Sequence, residues 1–104
     1  MSHEYVAVFS HRGLGRMIRL TVVAGYVFDL TFQEAQILSR ALAAVKEKKS
    51  SVDEVYMSPI ASDGDFAAKV LADGVVFEAK TPPVRLSWLE VDQMAQALAA
   101  ASAQ

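Results

Sequence analysis

The sequence contains no cysteine. A disulfide framework, a thiolate nucleophile and a Cys-ligated zinc or iron–sulfur centre are thereby excluded. Three prolines and five glycines are too few for a low-complexity or disordered chain. Long apolar runs are missing as well: the longest nearly uncharged stretch, Leu20 to Phe28, falls well short of the ~18–20 residues that cross a bilayer. Met1-Ser2-His3-Glu4 does not open a cationic and then apolar leader, so the expectation is a cytoplasmic protein with no membrane partner. What is present is a chain of 104 residues, 53% hydrophobic and 21% charged, which fits one compact domain over 1–104.

The net charge of −2 conceals a division along the chain. Met1 to Val52 carries seven basic and four acidic residues, or +3, and the remainder carries three basic and eight acidic residues, or −5. Such asymmetry is compatible with a basic binding face, a polar association between subunits, or uneven solvation of two surfaces.

Self-comparison of the chain reveals an approximate duplication. Val23-Ala24-Gly25-Tyr26-Val27-Phe28-Asp29 aligns with Leu71 to Glu78 if one residue is inserted in the second turn. Leu30-Thr31-Phe32-Gln33-Glu34 aligns with Leu86-Ser87-Trp88-Leu89-Glu90, and Ala41-Leu42-Ala43-Ala44 recurs as Ala97-Leu98-Ala99-Ala100. The units run over about 1–51 and 52–104, each a set of strands followed by a helix. Between these anchors the second unit carries Lys80 to Arg85, whose prolines mark a loop or an edge.

Thr31 with Glu34, and Ser87 with Glu90, have the spacing of capping boxes, in which hydroxyl and carboxylate satisfy the orphan amides of a first helical turn. Behind them, Ala35, Leu38, Leu42 and Val45, then Val91, Met94, Ala95 and Leu98, form apolar stripes at helical spacing. Ile37, Ala41 and Ala44 lie beside the first stripe and leave apolar surface for a subunit contact. Lys46, Lys48 and Lys49 close the first helix, where cations suit the dipole.

The hairpins have predictable registers. A three-residue loop at Val23-Ala24-Gly25 sets Val22, Leu20 and Ile18 opposite Tyr26, Phe28 and Leu30, with Arg19 opposite Asp29 on the other face. A two-residue turn at Asp73-Gly74 sets Ala72, Val70 and Ala68 opposite Val75, Phe77 and Ala79, and Lys69 opposite Glu78. The first strand, Tyr5 to Phe9, is apolar on both faces, as expected of a central strand or one covered by a second copy of the chain.

Motifs for catalysis or metal binding are weak. Ser62-Asp63-Gly64-Asp65 lacks the further ligands and distal Glu of a calcium loop and reads as a solvated turn. Gly13-Leu14-Gly15-Arg16 lacks the third glycine of a dinucleotide loop and the lysine of a Walker loop, so it reads as a hairpin. His3 and His11 have no placed carboxylate or serine partner. No catalytic residue, metal or cofactor is expected.

One cluster has a ligand chemistry of its own: His11, Arg12 and Arg16 in the first hairpin, Arg19 on the next strand, and Tyr5 or Phe9 beside them. Cations next to sheet aromatics hold phosphates while bases stack. The succession of this glycine-arginine hairpin, an apolar-basic strand, a second hairpin and a helix is similar to that in purine-rich-element-binding repeats and other Whirly-type single-strand binders, over little more than Gly15 to Leu42. The resemblance implies a sheet that binds single-stranded nucleic acid. The chain departs from it by having three strands, instead of four, before its first helix and by its acidic balance.

The expected fold is α+β: two pseudo-repeated β-β-β-α units forming a mainly antiparallel sheet with both helices packed on one face. The expected function is that of a small non-enzymatic interaction module, homodimeric, with an unidentified protein partner. Two alternatives stand beside it: a weak single-stranded nucleic-acid binder using the first hairpin, and an acidic inhibitor of a basic protein using Asp53, Glu54, Asp63, Asp65 and Asp73.

Overall fold

In the computed structural model, residues 5–103 are described. Three strands, β1 (Val6–His11), β2 (Gly15–Val23) and β3 (Tyr26–Leu30), lead to α1 (Phe32–Lys46). Four more, β4 (Glu54–Met57), β5 (Phe66–Val70), β6 (Gly74–Phe77) and β7 (Val84–Ser87), lead to α2 (Trp88–Ser102). Every strand pairs antiparallel with its sequence neighbour inside its own sheet, and the helices pack against the sheets, so the fold is α+β. The expected single sheet is two, in the orders β1-β2-β3 and β4-β5-β6-β7.

Local chemistry starts each helix. The Thr31 hydroxyl accepts from the Glu34 amide at 3.0 Å while the Glu34 carboxylate accepts from the Thr31 amide at 2.9 Å. Ser87 and Glu90 repeat the exchange at 3.2 and 2.9 Å. Both apolar stripes are buried. The helices run antiparallel: Gln36 Nε2 donates to the Ser102 carbonyl at 2.9 Å, Ser39 Oγ to the Ala95 carbonyl at 2.8 Å, and Lys46 lies 3.5 Å from Asp92. α1 contacts β2, β3 and β4, whereas α2 contacts β1, β2, β6 and β7, so each helix touches both sheets. Ala41 packs on the core, and Ile37 is left half exposed.

The first hairpin has the expected pairs Ile18 with Leu30, Arg19 with Asp29 and Leu20 with Phe28. A bulge between Thr21 and Val23 then brings Val23, instead of Val22, opposite Tyr26, and Gly25 turns the chain at φ +82°. The second hairpin departs by two positions: Val70 pairs with Val75 and Lys69 with Val76. The turn is Ala72-Asp73, closed by the Leu71 amide donating to the Gly74 carbonyl at 2.8 Å. Gly74 belongs to β6 for a reason that lies outside the hairpin. A Cβ there would stand 1.9 Å from the Leu86 carbonyl oxygen on β7. A shift of two preserves which face each side chain occupies, and Lys69 still reaches Glu78, at 3.0 Å.

β7 occupies the end of the segment expected to be an insertion, directly after Pro82-Pro83, and so the second unit has four strands instead of three. Trp88 Nε1 donates to the Ala72 carbonyl at 2.9 Å and ties the start of α2 to the β5–β6 turn. Of the two positions expected for β1, central in the sheet or covered by a second copy of the chain, strand order excludes the first, because β1 is an edge strand.

One contiguous core joins the two sheets. Its centre is a closed circuit of four rings. Tyr26 and Phe28 from β3 and Phe66 and Phe77 from β5 and β6 meet in neighbouring pairs with centroids 5.1–5.5 Å apart.

Gly74→Ala is expected to destabilise the fold by about 3 kcal/mol, because backbone meets the new Cβ and a packed interior yields little. Gly25→Ala, with open space but a left-handed backbone, is expected to cost about 1 kcal/mol. Urea denaturation of the two variants checks the order; equal costs would contradict the close approach of β6 and β7.

Candidate interaction surface

The alternation of β2 divides its side chains. Ile18, Leu20 and Val22 enter the core, while Met17, Arg19 and Thr21 take the opposite face with Ala7 and Phe9 of β1 and Val27 and Asp29 of β3. On that face Arg19 forms a fork with Asp29, Nε to Oδ1 at 2.8 Å and Nη2 to Oδ2 at 3.3 Å. Its guanidinium carbon lies 4.5 Å from the Phe9 ring centroid. The hydrogen bonds to Asp29, and then its charge, hold the Arg19 pKa above its ordinary value.

The β4–β5 loop is strapped against the same region. Ser62 Oγ accepts from the Asp29 amide at 2.7 Å and is 3.1 Å from the Asp29 carbonyl, to which it donates. The Ile60 amide donates to the second carboxylate oxygen of Glu34 at 3.0 Å. Between strap and sheet lies an open concavity of about 460 Å³ bordered by Arg19, Val27, Asp29, Ser62, Asp63 and Gly64. Its cation and Asp29 are already paired to each other. No group of three or more His, Asp or Glu side chains suited to a metal ion occurs among the described residues.

The residues suggested for phosphate and base contacts do not converge. His3, a metal or catalytic candidate only together with His11 and not one of these residues, lies outside the described residues. Tyr5 is 5% exposed and its ring belongs to the core, not to an open stacking surface. Burial, and secondarily the charge of Glu90, raises its phenol pKa. His11 Nδ1 accepts from the Gly13 and Leu14 amides, both at 3.1 Å, and so braces its own turn. Arg12 is exposed at the hairpin tip. Arg16 has the alternation of Ile18 and lies 5.8 Å from the Phe32 ring on the helix side. Only Phe9 and Arg19 meet. The acidic residues separate too: Asp53 and Glu54 lie at the start of β4 and Asp73 in the β5–β6 turn, whereas Asp63 and Asp65 lie in the β4–β5 loop at the far end of the β4–β5 hairpin.

The strand edges differ in how they are closed to further pairing. At β3, Ser62 occupies both outward backbone groups of Asp29. β4 has four residues and begins with Glu54; β7 has four, follows two prolines and carries Arg85. Short edges, charges and prolines all discourage added strands. β1 has six residues, no proline and no charge before the terminal His11. The Thr21 amide donates to the Tyr5 carbonyl at 2.7 Å, which fixes the alternation: Ala7 and Phe9 bond to β2, and Val6, Val8 and Ser10 direct their N–H and C=O groups outward. Val8 is 38% exposed and Val27, two strands away, 42%.

The class defined by this geometry is an α+β domain with, among the described residues, one long edge, β1, that is without proline or charge before its terminal His11. No known protein family, curated protein or solved structure matches the chain. The partial likeness to Whirly-type single-strand binders therefore draws no support from these comparisons.

Away from this surface, Tyr56 donates to Asp65 Oδ2 at 2.5 Å. That bond, with a lesser one from Ser58, lowers the Asp65 pKa, and the same bond raises the Tyr56 pKa. A folded carboxyl that titrates below its unfolded value stabilises the fold above the ordinary carboxylate range, and the effect is lost as pH falls through the lowered value. Carboxyl-detected NMR titration is expected to show Asp65 moving up toward an ordinary value in Tyr56→Phe. An unchanged midpoint would deny the bond.

Proposed function

We propose that the protein is a small non-enzymatic interaction module that works in the cytoplasm and receives its partner by strand addition along β1. The observation that carries this reading is the edge itself, six residues with no charged side chain before the terminal His11 and three sets of outward backbone groups. In strand addition the backbone supplies affinity and the alternating side chains supply selectivity. Here the selecting side chains are Val6 and Val8 on one face and Ala7 and Phe9 on the other.

The titratable groups support a role other than catalysis, because their geometry is used structurally. Glu34 and Glu90 cap helices, Arg19 and Asp29 bind each other across a hairpin, and Lys69 reaches Glu78. A nucleic-acid reading keeps Arg12 and Arg16 at the first hairpin tip, enough to neutralise only a few phosphates. Its stacking ring, Phe9, is already covered on one side by Arg19.

The test immobilises the wild type, Val8→Lys and Ile60→Lys, and offers each a cell lysate, a tagged second copy of the chain and labelled single-stranded DNA. Ile60, 71% exposed in the strapped loop, serves as the control position. A protein retained by the wild type and Ile60→Lys but lost from Val8→Lys is the expected result. Equal retention by all three overturns the β1 reading. DNA retained equally by all three, released at ~200 mM salt but not ~50 mM, points to the hairpin tip instead.

A further inference from the structure

We infer that the partner at β1 is a second copy of the same chain, paired antiparallel about a two-fold axis at Val8. This rests on the reading of β1 as the docking edge and specifies its occupant. An antiparallel ladder requires outward-directed residues to face outward-directed residues. On β1 these are Val6, Val8 and Ser10, which permits self-pairings centred on Ala7, Val8 or Phe9.

The side chains distinguish the three. Centring on Phe9 opposes two Phe9 rings on the axis and pairs Val6 with the partner's Arg12, beyond the strand end. Centring on Ala7 opposes two alanines and pairs Phe9 with the partner's Tyr5, whose ring is committed to the core. Centring on Val8 pairs the whole of Val6 to Ser10: Val8 with the partner's Val8, Val6 with the partner's Ser10, and Ala7 with the partner's Phe9. About six inter-chain hydrogen bonds then form, two for each outward pair. Ala7 and Phe9 fall at the closer, non-hydrogen-bonded positions, where side chains lie nearest. Each large ring thus faces a small, exposed Ala7.

Charge permits the same arrangement. Val6 to Ser10 holds no ionisable side chain, and the nearest cation across the sheet, Arg19 beside Ala7, is neutralised by Asp29. The result is one six-stranded antiparallel sheet in the order β3-β2-β1-β1-β2-β3, with the apolar residues of both outer faces continuous across the seam. Its free edges are the two β3 strands, already occupied at Asp29 by Ser62. Growth therefore stops at two copies.

Sedimentation and single-cysteine crosslinking test this together. The wild type is expected at twice the 11.3 kDa chain mass at micromolar concentration. Val8→Lys, which sets two cations face to face on the axis, is expected at the single-chain mass with an unchanged circular dichroism spectrum. Because the chain has no cysteine, Val8→Cys carries one thiol only. Paired Cα atoms at the axis lie ~5.5 Å apart, within disulfide reach. Oxidation with diamide is expected to link Val8→Cys into covalent dimers and to leave Ala24→Cys, in the β2–β3 turn, uncrosslinked. A wild type of single mass overturns self-pairing and leaves β1 open to other partners in the preceding assay. A doubled mass that persists in Val8→Lys overturns both readings. A doubled mass with no crosslink in Val8→Cys overturns the register.

Discussion

The fold depends on the circuit of four aromatic rings between its sheets. Among the described residues the three-stranded and four-stranded sheets share no ladder, so side-chain packing must fix how one sits on the other. Tyr26 and Phe28 approach from one sheet, Phe66 and Phe77 from the other, and the tilted and edge-to-face contacts contribute ~0.5–1.5 kcal/mol per pair beyond simple burial. The Tyr26 hydroxyl is buried without a hydrogen-bond partner among the described residues, which costs ~1–3 kcal/mol. The ring is retained against that cost because it closes the circuit, touching Phe28 in its own sheet and Phe77 in the other. Lys80 lies 5.3 Å from the Tyr26 ring centroid.

Once the rings set the sheets, the strap follows. The β4–β5 loop leaves the second sheet close to where β3 runs into α1, and Ser62 and Ile60 meet Asp29 and Glu34 there. Glu34 thus serves two elements, capping its helix with one oxygen and holding the loop with the other. Closure of the β3 edge is a consequence of inter-sheet packing, as β3 itself carries no proline. β1 lies at the other side of its sheet, beyond the strap, with α2 behind it. Its openness and the closure of β3 come from the same arrangement.

Legibility in the sequence tracks the range of the interaction. Capping boxes and helical stripes depend on residues within a turn or two, and all were legible. So were the first-hairpin pairs around Arg19 and Asp29, because alternation on both strands agrees on them. The second hairpin was misread because Gly74 has two explanations in sequence, a turn residue or a point of close approach, and only the Leu86 carbonyl on β7 selects between them. β7 was hidden by the prolines before it. The pairing of Ser62 with Asp29 spans 33 positions and has no local signature. At the candidate surface, Phe9 and Arg19 were legible as neighbours. The apolar character of β1 on both faces was also visible, but choosing between a central strand and one covered by a second copy required the strand order, which places β1 at an edge.

The uneven charge of the chain bears on the proposed pairing. Lys46 with Asp92 is the one ion pair between the two halves among the described residues, so most of the basic excess of the first half stays at the surface. Part of it sits at the β1–β2 tip, in Arg12 and Arg16. A parallel meeting of two β1 edges would bring the two tips together. An antiparallel meeting sends them to opposite ends of the seam, about 20 Å apart for a six-residue strand at ~3.4 Å per residue. That exceeds the ~8 Å screening length at physiological salt. The charge that would oppose one mode of self-association is thus nearly silent in the other, and the orientation that avoids repulsion is the one in which Phe9 faces Ala7.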